Sequence, residues 1–198
     1  MTSANTPRRL VLASTSPFRR ELLGRLGLPF EVAAPNVDER RQEGESPQQM
    51  VTRLAELKAR AVADRFTDGV IVGSDQVACI GDAILGKPRT RDKAIEQLQR
   101  VSGKAVTFYT GLCVLDVPSG RSHVLCEPFR VQFRPLETET ITAYLDREEP
   151  YNCAGSFKSE GLGVALFERL EGDDPNALVG LPLIRLVDLL GEVGIKVL

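Results

Sequence analysis

Leu10-Val11-Leu12-Ala13-Ser14-Thr15-Ser16-Pro17-Phe18-Arg19-Arg20, followed by Glu21-Leu22-Leu23, decides how the rest of this chain is read. The opening apolar residues suit a buried strand, and Ser16-Pro17 marks a helix start, with Ser16 as N-cap and Pro17 at the first helical position. A strand therefore runs straight into a helix N-terminus. That end carries unpaired N–H groups and partial positive charge, so Arg19 and Arg20 sit where the dipole disfavours cations by roughly 0.3–1 kcal/mol each. The breach is relieved if an anion fills the spot, because backbone N–H groups, the Ser14 and Ser16 hydroxyls and a guanidinium fork would converge on one phosphate. A capped helix carrying two solvated arginines is the other reading of the same residues.

Composition limits what such an anion site serves. With 25 basic and 27 acidic residues the formal net charge is −2, which argues against a general binder of nucleic acid or membrane surfaces and makes any anion site local. The 198 residues, 42% of them hydrophobic, suffice for a full core in one domain of two lobes, with residues 1–9 a loose extension. Cys79, Cys113, Cys126 and Cys153 form no C-x-x-C pair, and there is one histidine, so neither a zinc site nor a disulfide framework is indicated. Reduced thiols, a polar N-terminus and no run of about 18 apolar residues point to a cytoplasmic protein with no membrane span.

Downstream, Phe30 to Ala34 reads as a second strand leading into an acidic loop, Val37-Asp38-Glu39. Ser46-Pro47 repeats the capping device before a helix reaching about Phe66, which contains Lys58; on its own Lys58 reads as a solvated lysine. Val70 to Cys79 starts as a doubly buried strand and places Asp75 at its carboxyl end, where open α/β sheets bind ligands. A carboxylate there can hold a hard cation or take a proton from water, or simply cap a turn. Gly86-Lys87-Pro88 gives a corner with close backbone approach at Gly86, from which Lys87 can reach a phosphate.

Thr90 should cap the next helix. A long hairpin, Val106 to Val117 and Ser122 to Phe133, carries His123 as a surface residue, and Thr138 or Thr140 should cap a short helix. Asn152 to Gly163 is a small-residue loop holding Lys158 and Glu160, either lying close to a ligand or a plain connection. Val164 to Phe167 reads as a strand, Asp173 to Asn176 as a turn and Leu183 to Leu190 as the last helix. Together Arg19, Lys58, Lys87 and Lys158 could neutralise phosphate oxygens while Glu39 and Asp75 hold Mg²⁺ or Mn²⁺. No P-loop and no dinucleotide fingerprint is present.

Five motifs in order, Leu12 to Arg20, Val37-Asp38-Glu39, Gly73-Ser74-Asp75-Gln76, Gly86-Lys87-Pro88 and Gly155 to Gly161, resemble those of the Maf family of nucleoside triphosphate pyrophosphatases. Tyr109-Thr110-Gly111 and Leu178 to Pro182 resemble the branch acting on 7-methyl-GTP. The resemblance implies a Maf/ITPase-like α/β fold, with a mixed, elongated central sheet, flanking helices and two lobes around a cleft. It implies a metal-dependent, homodimeric enzyme that releases pyrophosphate from a nucleoside triphosphate in the housecleaning of modified nucleotides. By the same resemblance Asp75 is the proton acceptor, Ser14, Arg19, Glu39, Lys58 and Lys87 surround phosphates and metal, and Phe18, Gln76 and Glu160 select the substrate. A cationic 7-methylguanine ring suits the Glu160 carboxylate and the Phe18 face, though that branch typically carries Trp, the stronger cation–π partner, at this position. Phe18 packing on its own lobe is the other reading. Hydrolysis of dTTP or UTP, and nucleotide-dependent regulation of septation, are the alternative functions.

Overall fold

β1 (Leu10–Ala13) is buried along its whole length between two parallel neighbours, β2 (Glu31–Val32) and β3 (Val70–Ile80). The computed structural model describes residues 8–198. From β3 outward the sheet turns antiparallel, through β5 (Ala105–Asp116) and β6 (Ser122–Phe133) to β7 (Phe167–Glu171), while β4 (Ala83–Leu85) folds back on the end of β3. The result is one mixed, seven-stranded sheet in the order β2-β1-β3-β5-β6-β7, with β4 on β3. Helices α1 (Pro17–Gly24), α2 (Pro47–Ala63), α3 (Arg91–Val101), α4 (Thr138–Glu148), α5 (Pro175–Val179) and α6 (Leu183–Glu192) flank it.

The two-residue alternation of β3 assigns its faces. Ile71 packs under Ala55, Ala59 and Val62 of α2, whereas Val70 and Val72 pack on Leu22 and Leu23 of α1 and Leu186 and Leu190 of α6. Two glycines let α2 settle onto the strands. A Cβ at Gly73 would lie 2.1 Å from the Ala55 carbonyl oxygen, and one at Gly111 2.1 Å from that of Val51. Toward the far end, Leu98 of α3 and Ile141 and Leu145 of α4 enclose Phe108, Phe129 and Phe133. There Phe157 meets Phe108, Phe133 and Phe167 edge to face at 4.8–5.4 Å. Two helix-covered lobes thus share one sheet.

Between them the ladder has a gap. The pairing of β1 with β3 stops at Gly73 and that of β4 starts at Ala78, so Ser74 to Val77 have no strand partner on that edge.

Several sequence expectations are corrected. Asp75 is not at the end of its strand. Val77, Ala78 and Cys79 continue as buried strand because β4 and β5 pair with them, and what ends near Asp75 is the parallel neighbour β1. Residues 164–166 belong to a 3-10 turn, Leu162–Leu166, leaving Val164 exposed and starting β7 at Phe167. Glu137 rather than a threonine precedes α4, and Asp174 caps α5 where a turn was expected. A Cβ at Gly86 would meet nothing, so no close approach occurs there. Of the extension 1–9, residues 1–7 lie outside the described residues, but Arg9 is held: it pairs with Glu31 at 2.5 Å, stacks on Phe66 at 4.7 Å, and its carbonyl accepts from Val70 N at 2.8 Å. Arg8 pairs with Asp116.

Candidate active site

A cleft of about 580 Å³ opens at the gap in the ladder. A larger groove of about 960 Å³ runs along the outer side of α2, but it is shallow and collects none of the groups argued above, so the deeper cleft is the candidate. Because Asp75 and Gln76 are adjacent on an uncovered strand edge, their side chains leave on opposite faces of the sheet and both line the cleft.

The α1 start is built as its sequence demands. The Ser16 hydroxyl accepts from Arg19 N at 3.4 Å, and Ser16 N donates to the Ser14 hydroxyl oxygen at 3.1 Å, which leaves the Ser14 proton free to donate. Arg20 is exposed, as in the solvated reading, but Arg19 turns inward. Its Nε donates to the Gly180 carbonyl at 2.8 Å, as does the Ser74 hydroxyl at 2.9 Å, and the side chain so held lines the cleft. Gly180 has φ +121°, a conformation that L side chains rarely adopt. Burial lowers the Arg19 pKa, opposed by the Asp75 and Glu39 carboxylates; an arginine so placed keeps its charge.

On the other face, α2 delivers Lys58 to a buried position where its ammonium lies 2.6 Å from Asp75 Oδ1 and 2.7 Å from Glu39 Oε1. The solvated reading of Lys58 fails because Gly73 and Gly111 bring the helix this close. Burial pushes the Glu39 pKa up, yet the hydrogen bond and charge of Lys58, with Arg19 and Lys87 behind it, hold it below the usual carboxylate range. The loop carrying Glu39 is itself anchored. Arg53 grips Glu45 at 2.6 and 2.9 Å and donates to the Arg40 carbonyl at 3.1 Å.

That anchor has a pH signature. Arg53 first, with Gln42 N and Arg41, holds the Glu45 pKa down at about 2 against burial, from an ordinary value of 4.5. A depressed carboxylate stabilises the fold above its unfolded pKa and loses that contribution as pH falls through its folded one. Denaturant unfolding should therefore show stability from this pair complete above pH 4.5 and declining toward pH 2, and Glu45→Gln should flatten that acid limb. An identical acid limb in the variant would reject the anchor.

Ser14, Phe18, Arg19, Glu39, Lys58, Asp75, Gln76, Lys87 and Glu160 all line the cleft. Lys158 does not. Its ammonium donates to the Glu148 carbonyl at 2.9 Å and pairs with the Glu148 carboxylate at 3.2 Å, while its backbone N donates to the Tyr144 hydroxyl at 3.0 Å. It ties down the loop that carries Ser159 and Glu160. The sequence reading gave no role in the site to the apolar lining, Met50, Leu54 and Phe108, which look like ordinary core in sequence, nor to Phe157 and Leu178, which it quoted only as parts of motifs. His123 pairs with Glu192 at 2.9 Å, away from the cleft. Among the described residues no group of three or more His, Cys, Asp or Glu could hold a metal, and no helix is long and apolar enough to cross a membrane.

The Maf-like protein family model matches residues 9–193. The 7-methyl-GTP pyrophosphatase of Nitrosococcus oceani is 56% identical over 192 residues, covering 97% of this chain and 96% of that protein. The 7-methyl-GTP pyrophosphatase of Colwellia psychrerythraea is 58% identical over 189 residues, covering 96% and 94%. Among solved structures, the Staphylococcus aureus Ham1 protein covers 79% of this chain and 90% of its own at 13% identity, with a TM-score of 0.47, too loose a likeness to carry an argument.

Proposed function

The chain belongs to the Maf family, and from that premise we propose that it hydrolyses 7-methyl-GTP to 7-methyl-GMP and pyrophosphate, in the housecleaning of modified nucleotides. The observation that carries this reading is Lys58, held at 2.6 and 2.7 Å by two carboxylates in a cleft that also receives a helix N-terminus, Arg19 and Lys87. That is a site for a polyphosphate and its attacking water.

In this reading the α1 N–H groups, the Ser14 proton, Arg19 and Lys87 bind phosphate oxygens and hold the bond between the α- and β-phosphates in place. Such reactions ask the protein mainly for positioning and for charge where charge develops. Asp75 gives Oδ1 to Lys58, and its other oxygen, which accepts no bond among the described residues, takes the proton of the attacking water. Glu39 and Asp75 fit a divalent cation of the Mg²⁺ or Mn²⁺ kind, since such ions are held by one or two carboxylates with the rest of the shell from phosphates and water. When bound, that ion neutralises phosphate charge and acidifies water. At the base end, Phe18, Gln76 and Glu160 meet the nucleobase, and the Glu160 carboxylate favours a cationic one. Work in the cytoplasm, consistent with four free cysteines, and assembly as a homodimer complete the proposal.

The test is pyrophosphate release from 7-methyl-GTP, GTP, UTP, dTTP and ATP, with Mg²⁺ or Mn²⁺ and with chelator, each nucleotide product being identified. Metal-dependent preference for 7-methyl-GTP is expected. A pyrimidine preference would overturn the substrate, and no turnover of any nucleotide would overturn the reaction.

A further inference from the structure

Gln76 makes an unusual set of bonds. Its amide nitrogen donates to the Ala177 carbonyl at 2.6 Å, the Leu178 carbonyl at 3.2 Å and the Thr110 hydroxyl oxygen at 3.0 Å. The Thr110 hydroxyl spends its own proton on the Ala177 carbonyl at 2.8 Å. Carbonyl oxygens only accept, so the group facing α5 must be the NH₂. These carbonyls belong to the last turn of a short helix; that of Ala177 also accepts from Gly180 N at 3.1 Å, and both offer the amide only lone pairs. The Thr110 hydroxyl, with its proton committed, offers only a lone pair. All three neighbours therefore reject the flipped amide, in which an oxygen would face two carbonyls.

The other end of the amide is left to the cleft. Gln76 lines it, the side-chain oxygen accepts nothing among the described residues, and no buried side-chain polar atom among them lacks a partner, so that oxygen is open to solvent or ligand. We infer that fully buried Thr110 is a positioning residue: it locks the Gln76 amide so that the cleft presents a fixed acceptor, selecting nucleobases whose pairing edge offers a ring N–H. Guanine and its 7-methyl form carry that N–H beside an exocyclic NH₂, two donors for Gln76 and the Glu160 carboxylate. Adenine and cytosine present a ring acceptor instead, which would face the oxygen lone pair. Because the bonds left unmade are desolvated, a site built this way rejects the wrong edge far more strongly than an apolar pocket rejects a missing methyl group. The inference rests on the proposed nucleotide substrate and adds the part of the base that is read.

The experiment measures binding and turnover separately. Dissociation constants of 7-methyl-GMP and AMP, and kcat and KM for 7-methyl-GTP and ATP, are compared in the wild type, Thr110→Val and Thr110→Ser, with thermal unfolding to check that each variant is folded. The wild type should favour the ring N–H nucleotide by about 100-fold or more, carried mainly in Kd and KM. Thr110→Val leaves the two carbonyls in place but removes the third contact, so the amide oxygen is no longer held at one position, and it should cut that ratio to below about tenfold, while Thr110→Ser, which keeps the hydroxyl, should restore it. An unchanged ratio in Thr110→Val, or equal losses for both nucleotides, overturns the lock. If Thr110→Val does not fold, Thr110→Ser and Gln76→Met decide: selectivity must survive the first and fall with the second, and either failing overturns the proposal. Selective binding without pyrophosphate release would overturn the proposed reaction and leave the lock standing. A wild type that binds neither nucleotide would overturn both.

Discussion

Asp75→Asn should lower pyrophosphate release from 7-methyl-GTP by at least about 100-fold while the folded protein still binds the nucleotide. The substitution keeps the volume and a side-chain oxygen for the Lys58 ammonium, but removes the charge that accepts a proton from water and one of two carboxylates available to a cation. Stability should move little, by roughly 1–2 kcal/mol, because Glu39 at 2.7 Å remains to compensate the buried ammonium. The informative pair of measurements is turnover beside a binding isotherm. A loss below tenfold, with binding intact, would take the proton-acceptor role away from Asp75.

Gly111→Ala should be strongly destabilising for so small a change. Its Cβ would stand 2.1 Å from the Val51 carbonyl oxygen and 2.4 Å from the carbonyl carbon, both backbone atoms of α2 that cannot rotate away. The helix has to lift from the sheet, at a cost at or above the usual overpacking range, roughly 3 kcal/mol or more. Because Lys58 rides on that helix and Asp75 is the register partner of Gly111, lifting it also separates the charged pair, so turnover should fall along with stability. Gly24→Ala is the control. Nothing lies within 4 Å of its Cβ, and alanine in that helical turn should be neutral or stabilise by about 0.5–1 kcal/mol. Urea midpoints of the two variants, set beside the wild type, check both claims, and an unshifted midpoint for Gly111→Ala would refute the account of α2 seating.

What the sequence made legible was local. The strand and capped helix from Leu10 onward, the second capped helix at Ser46-Pro47 and the long hairpin follow from periodicity, capping and turn residues that act over a few positions. Nearly all the candidate site residues line one cleft, reached from the start of α1, the interior of α2 and β3 and the loops between elements. The failures were long-range. Asp75 looked like a strand end because the small pair Gly73-Ser74 precedes it, and only pairing with β4 and β5 shows the strand continuing. Lys58 looked solvated because the seating of α2 depends on Gly73 and on Gly111, the latter 53 positions beyond Lys58. The lock on Gln76 joins residues 34, 101 and 102 positions away, a relation that no motif spells out. Lys158, in a glycine-rich loop, has the composition of a ligand contact, but its partner Glu148 sits on a helix that the loop merely passes.

The four-residue gap in the β3 ladder, Ser74 to Val77, leaves a stretch of strand edge without a strand partner. Uncovered strand edges invite a strand from another molecule, and chains with long ones tend toward fibrous aggregation. Here the opening spans only about 13 Å and is stopped at both ends by strands already in place. An intruding strand would find too few rungs to hold it, whereas a molecule the size of one nucleotide fits. The length of the opening thus acts as a sieve against strand addition at this edge.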